Sequence, residues 1–137
     1  MIPHLDLQRA NQPYQVEIAE AMRRVAESGW YVLGKEVAAF EQNWAAYCGT
    51  SHCIGVANGL NALELIFRAF DFSEGSEVIV PANTYIASIL SVTSLGLKPI
   101  WVEPDPKTLN IDPRKIERKI TPRTKAIVPV HLFGQSV

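Results

Sequence analysis

Four short apolar runs, none of them alternating with polar residues, limit the folds open to this chain more than any other feature. They are Cys53–Ala57 (CIGVA), Glu77–Val80 (EVIV), Pro99–Val102 (PIWV) and Lys125–Val130 (KAIVPV). A strand with one wet face alternates; a strand covered on both faces does not. Helix-patterned segments separate the runs. Leu60–Phe70 turns Leu63, Ile66, Phe67 and Phe70 inward, and Tyr85–Leu95 is ended by Gly96. Asp112 before Pro113 reads as a cap and first position of a short helix. This alternation predicts an α/β fold: a mainly parallel sheet of four strands with helices on both faces. A four-stranded sheet followed by an open loop, His131–Val137, reads as the first part of something longer.

Upstream of the runs the pattern is different. Met1–Pro13 reads as an irregular arm. Tyr14–Glu27 places Val16, Ile18, Ala19, Met22 and Val25 at helical spacing, and Ser28-Gly29 stops that helix. Trp30–Gly34 is a loop rich in large apolar side chains. A second helix, Glu36–Tyr47, carries Val37, Phe40, Trp44 and Tyr47 on one face and ends at Gly49. The organisation expected is residues 1–48 as arm and helices, then 49–137 as the first part of an incomplete α/β domain.

Charge and cysteine usage exclude several classes. The net charge is −1. The only basic cluster, Arg114, Lys115, Arg118 and Lys119, includes Glu117 and reads as a solvated helix face, so no nucleic-acid partner is expected. The longest apolar stretch, Ile86–Leu97, is broken by Ser88, Ser91, Thr93 and Ser94 and is too short to span a bilayer. The first residues lack a basic region and an apolar core, so no signal peptide is read there and a cytoplasmic location is expected. Cys48 and Cys53 lie on either side of His52, but a closed zinc site needs four ligands and no second pair exists. The two are read as thiols in a reducing compartment, and no metal is assigned.

In an open α/β sheet a ligand sits outside the carboxyl ends of the strands. Four segments fall there: Asn58–Asn61, Pro81–Tyr85, Glu103–Asp105 and His131–Gln135. At Asn58-Gly59-Leu60 a strand runs directly into a helix. Gly59 lets a ligand approach the backbone, and the free N–H groups of the first turn favour an anion. Taken alone, Asn-Gly is also an ordinary turn and cap. No G-x-G-x-x-G or Walker-type lysine motif is present, so this is neither a dinucleotide fingerprint nor a P-loop. Tyr85 either stacks on a flat heterocycle or caps the core with a wet hydroxyl. His131 is either an acid–base group or, more commonly, a hydrogen-bonded loop residue. A phosphate cradle beside an aromatic platform describes a site for a phosphorylated aromatic cofactor.

These motifs together resemble the DegT/DnrJ/EryC1/StrS family of nucleotide-sugar aminotransferases, from Ile2, through the arm Pro3–Leu7, to the last residue. The resemblance runs through Gly34–Val37 with Phe40-Glu41, Val56–Leu63, Val80–Ser88, Asn110–Pro113, Ile120–Ile127 and Pro129–Gln135, in the family's order. It implies the N-terminal part of the large domain of a fold-type-I transferase dependent on pyridoxal 5′-phosphate (PLP). It further implies that the amides of Gly59 and Leu60 hold the cofactor phosphate, with Leu60 where many members carry Thr or Ser, so that the amides act without a hydroxyl. Tyr85 matches the aromatic that stacks on the pyridine ring. The loop at Trp30 and Tyr31 is similar to a segment that approaches the sugar-nucleotide site near a homodimer interface, and His131 is read with them as a substrate contact. The wording at Gly29–Gly34 and Cys53–Leu60 is most similar to members that aminate C3 of a dTDP-linked keto-6-deoxyhexose.

The activity so implied is transfer of an amino group from an amino acid, glutamate, to a nucleotide-linked keto sugar for cell-surface polysaccharide or lipopolysaccharide. The family's Schiff-base lysine and the aspartate facing the pyridinium nitrogen match nothing in this chain and are expected after residue 137. The lysines at 35, 98, 107, 115, 119 and 125 all sit in polar or element-edge contexts, so no catalytic residue is assigned here and the chain alone is expected to be inactive. Two alternatives stay open on the sequence: a lysine-less family member acting as a sensor or sugar dehydratase, and a small α/β binding domain complete in itself.

Overall fold

The computed structural model describes residues 5–137; residues 1–4, and with them Pro3 and His4 of the Pro3–Leu7 motif, lie outside the described part. The chain forms two compact units, residues 1–55 and 56–137.

The first unit is helical. The arm expected to be irregular contains a short helix α1, Leu7–Asn11, followed by a 3₁₀ turn, Gln12–Tyr14. The cause is local: the Asp6 carboxylate accepts the N–H of Arg9 at 2.9 Å and caps the turn. Helix α2, Gln15–Ser28, ends at Gly29, whose φ of +66° only glycine adopts cheaply. Helix α3, Lys35–Cys48, ends the same way at Gly49. The apolar residues at helical spacing on α2 are not buried: Val16, Ile18 and Met22 are exposed. On α3, Phe40, Trp44 and Tyr47 do share a face, Phe40 stacked on Trp44 with centroids 5.8 Å apart and Trp44 tilted against Tyr47 at 5.5 Å, but that face is open too. Helical periodicity marks a face able to be buried; it does not supply the layer that buries it.

The second unit holds the sheet. Helix α4, Gly59–Phe70, leads into strand β1, Glu77–Pro81. Helix α5, Ile86–Thr93, connects β1 to β2, Lys98–Val102; a short helix α6, Pro113–Ile116, lies before β3, Thr124–Ile127. The strand order is β2-β1-β3 and both pairings are parallel. Every residue of β1 is buried, which is why its sequence does not alternate. Val78 and Val80 pack with Phe67 of α4 and with Ile89, Val92 and Leu97. On the opposite face Ile79 packs with Val102 and Ile111, and with Ile116 of α6. Helices therefore cover both faces, as expected. On α4 only Phe67 is fully buried; Leu63 is half-buried, and Ile66 and Phe70 are exposed, Phe70 stacking on Phe72.

Among the described residues the sheet has three strands, not four. Cys53–Ala57 has no regular secondary structure and forms no ladder among the described residues. Both edges of β1 are taken by β2 and β3, so a fourth strand could join only at the outer edge of β2 or β3, and among the described residues Cys53–Ala57 pairs with neither. Ile54 is 79% exposed, and the Gly55 N–H donates to the Glu41 carboxylate at 2.7 Å instead of to a strand. Strand β3 is shorter than expected for a different, local reason. Val128 N–H still reaches the Ile79 carbonyl at 2.9 Å, and Pro129, without an N–H, cannot extend the ladder.

Candidate functional site

The topology selects one edge of the sheet. From β1 the chain crosses through α5 on one face to β2, then returns past the opposite face to β3 on the other side of β1. That reversal is a topological switch point, and the crevice lies at the carboxyl ends of the strands. Helix α5 descends from that edge. Helix α4 packs on the same face and hands the chain to the amino end of β1 after six residues, so its own first turn, about 18 Å away, points to the carboxyl edge. The starts of both helices thus lie at the edge where a ligand is expected.

At the start of α4, Asn58 is the cap: its Oδ1 accepts the N–H of Asn61 at 3.0 Å and its carbonyl accepts the N–H of Ala62 at 3.1 Å. The N–H groups of Gly59 and Leu60 have no acceptor among the described residues. They carry the positive end of the helix dipole. A Cβ built on Gly59 meets nothing within 4 Å, and its φ is not in the left-handed region. The chain itself therefore does not demand glycine there; the open space in front of the two amides is where a glycine would matter to a bound molecule.

Tyr85 is the cap residue of α5, its carbonyl accepting the N–H of Ser88 at 3.0 Å. Its side chain is 77% exposed, so it does not cap the core. The turn that carries it is fixed. Thr84 and Ser88 share a hydroxyl hydrogen bond of 2.7 Å, and the Asn83 amide donates to the Leu109 carbonyl at 2.9 Å. This edge offers unpaired N–H groups for an anion and an accessible aromatic face.

The Glu103–Asp105 segment serves structure. Asp112 caps α6 by accepting the N–H of Arg114, and the Arg114 guanidinium bridges Asp112 and Asp105 at 3.0 and 3.1 Å. The Arg114 hydrogen bond holds the Asp112 carboxyl below the usual range, against the opposing effect of burial. At the opposite, amino edge of the sheet, buried Glu77 is held low by the Thr121 hydroxyl and then by Arg123.

His131 ends the segment after β3. It is exposed, and its Nδ1 accepts the N–H of Val137 at 3.1 Å. One residue that sequence reasoning passed over controls this loop. Asn110, only 5% exposed, accepts the Leu132 N–H on Oδ1 and donates from Nδ2 to the carbonyls of Gln135 and Ser136. Its partners lie 22 to 26 residues away in sequence, so no local pattern could reveal it.

Trp30 and Tyr31 belong to the first unit. Trp30 Nε1 donates to the Val32 carbonyl at 2.7 Å and the Tyr31 hydroxyl donates to the Ala26 carbonyl at 3.3 Å, which locks the loop. Both line a cavity of about 540 Å³ with Arg24, Ser28 and Lys35. Of the residues singled out from sequence, Gly59, Leu60, Tyr85 and His131 thus stand on one edge of the second unit, and Trp30 and Tyr31 stand in the first.

Residues 13–137 match the DegT/DnrJ/EryC1/StrS aminotransferase family. The chain is 64% identical over 136 residues to the dTDP-3-amino-3,6-dideoxy-alpha-D-galactopyranose transaminase of Aneurinibacillus thermoaerophilus, covering 99% of this chain and 38% of that protein. Its structure is similar to that of S. venezuelae DesV in complex with a ketimine intermediate, with a TM-score of 0.92 and 46% identity over 99% of this chain and 37% of that one. It is also similar to NtdA from Bacillus subtilis with bound cofactor PMP, with a TM-score of 0.88 and 36% identity over 97% of this chain and 31% of that one. The chain thus spans less than two fifths of the length of each.

Proposed function

The chain belongs to the DegT/DnrJ/EryC1/StrS aminotransferase family, and on that premise we propose that the full-length protein is a PLP-dependent sugar aminotransferase. It moves an amino group from glutamate to C3 of a dTDP-linked keto-6-deoxyhexose, in the making of cell-surface polysaccharide or lipopolysaccharide. It works in the cytoplasm as a homodimer. Residues 1–48 form its arm and first helices, and residues 49–137 begin its cofactor-binding domain.

The observation that carries this reading is the juxtaposition at the carboxyl edge. Two unpaired N–H groups, at Gly59 and Leu60, open onto free space at the start of α4, and the exposed Tyr85 ring stands at the start of α5. The residues fit PLP: the amides would hold its phosphate and Tyr85 would face its ring. When bound, PLP supplies an electron sink for the carbon that carries the amine. This chain binds and orients. The amides fix the phosphate end, the ring of Tyr85 limits tilt, and His131 contacts the sugar nucleotide; Trp30 and Tyr31 are a separate sugar-nucleotide contact carried by the first unit. None of its lysines is assigned the bond-making step. The test is incubation of the full-length protein with ¹⁵N-glutamate, PLP and a dTDP-linked 3-keto-6-deoxyhexose. Mass spectrometry is expected to find ¹⁵N in the sugar. A protein that retains PLP yet labels no sugar overturns the substrate; one that retains no PLP overturns the reading altogether.

A further inference from the structure

We propose that Asn110 is a positioning residue that sets the loop after β3 so that His131 meets the substrate as a hydrogen-bond donor through Nε2–H, not as a base. The ligand side of this inference rests on the function proposed above; the loop side rests on geometry alone.

The argument starts from donors and acceptors. Asn110 is buried, and its amide touches three backbone groups of one loop: the Leu132 N–H at 3.3 Å, the Gln135 carbonyl at 3.2 Å and the Ser136 carbonyl at 3.1 Å. An N–H only donates and a carbonyl only accepts, so the partners leave one orientation for the amide. Both Nδ2 hydrogens and the Oδ1 are engaged. The Asn110 backbone is anchored in turn, its carbonyl accepting from Asp105 at 2.9 Å and its N–H donating to the Thr108 hydroxyl at 3.3 Å. The loop is therefore tied to the segment that crosses the far face of the sheet, next to buried Ile111.

His131 sits at the head of that loop. Its Nδ1 receives the N–H of Val137, so Nδ1 holds a lone pair and the proton of the neutral ring is on Nε2. Val137 follows directly on Ser136, whose carbonyl Asn110 holds. Asn110 thus acts through Val137 on the tautomer of His131. The exposed Nε2–H is left free to donate at the switch-point edge, where the sugar nucleotide presents acceptor oxygens. A ring fixed in this tautomer has no lone pair at the nitrogen facing the ligand, so it polarises or orients an oxygen and does not remove a proton.

The experiment uses the full-length protein with PLP. A long-range ¹H–¹⁵N correlation spectrum at alkaline pH, with the His131 signals assigned from their loss in His131→Gln, is expected to show the Nε2–H tautomer. In Asn110→Ala it is expected to show a mixture. An Nδ1–H tautomer in the native protein, or an unchanged spectrum in Asn110→Ala, overturns the positioning role. Should Asn110→Ala not fold, the exposed position decides. Glutamine reaches about as far as Nε2 and asparagine about as far as Nδ1. With dTDP-glucose as probe, His131→Gln is expected to bind within about threefold of native, and His131→Asn about tenfold more weakly, the cost of one hydrogen bond. Equal loss in both variants, or loss in neither, overturns the donor role. If PLP is retained and amino transfer proceeds while His131→Asn binds the probe normally, this inference alone falls. If the native protein takes up neither PLP nor probe, the proposed function falls, and the tautomer spectrum still decides the role of Asn110.

Discussion

Replacing Gly59 with alanine separates the needs of the fold from those of the ligand. Gly59 is the first residue of α4, outside the left-handed region, and a Cβ there meets nothing within 4 Å. Alanine at such a site reduces the freedom of the unfolded chain and stabilises by about 0.4–1 kcal/mol. The apo form of Gly59→Ala is therefore expected to melt a degree or two above native. The phosphate of PLP would have to share the same space with the new methyl group. Losing one charge-assisted hydrogen bond to an amide costs about 1.5–3 kcal/mol, a roughly 10- to 150-fold weaker PLP affinity. Thermal melting of the apo protein and fluorescence titration with PLP read the two effects separately. Gly49→Ala is the contrast: its φ of +67° makes any side chain strained, so it is expected to lose about 1–2 kcal/mol of stability. Unchanged PLP affinity in Gly59→Ala refutes the cradle. A drop in apo stability of more than about 1 kcal/mol refutes the claim that the fold leaves this position open.

Three further outcomes follow from the same geometry. Tyr85→Ala is expected to weaken PLP binding by a factor of about 2 to 10, from lost stacking worth roughly 0.5–1.5 kcal/mol; because the side chain is exposed, apo stability should move by less than about 0.5 kcal/mol, and a large stability loss with normal PLP affinity contradicts the stacking role. Asn58→Ala removes the cap of α4 and is expected to cost about 1 kcal/mol in urea denaturation, with no change speaking against the cap. Glu77 and Asp112 have carboxyls held below the usual range, by Thr121 with Arg123 and by Arg114 respectively, so their contribution is present above about pH 4 and is lost as pH falls through their lowered values; melting temperatures of native and Glu77→Gln protein measured from pH 7 to pH 3 should converge at the acid end, and parallel curves contradict the linkage.

The sheet was legible because burial on both faces writes itself into sequence as unbroken apolar runs. Val78, Ile79 and Val80 face different layers, yet each needs an apolar side chain, so EVIV identifies a central strand before any partner is known. The stops were legible for an equally local reason: Gly29, Gly49 and Gly96 supply left-handed turns that their helices need. So was the cap at Asp112, which binds a residue two positions on. What sequence could not show was which surfaces meet. Phe67 and Ile66 are neighbours of similar character, and only packing against Val78 and Val80 separates the buried one from the exposed one.

The two misjudged segments fail for opposite reasons. CIGVA has the composition of a strand but no ladder partner among the described residues, and the arm at Leu7–Asn11 has helical residues whose cap outweighed an irregular reading. A strand is a property of a pair and a capped turn is a property of a few adjacent residues, so the first needs non-local knowledge and the second does not. The candidate site divides along the same line. Gly59 and Leu60 could be singled out because a helix start follows directly from an Asn cap. Asn110 could not, because its three partners arrive from a loop more than twenty residues away. It follows that the groups binding the ends of a ligand are readable from short motifs here. The groups that hold those binders in register must be sought among buried polar side chains whose hydrogen bonds are all long-range in sequence.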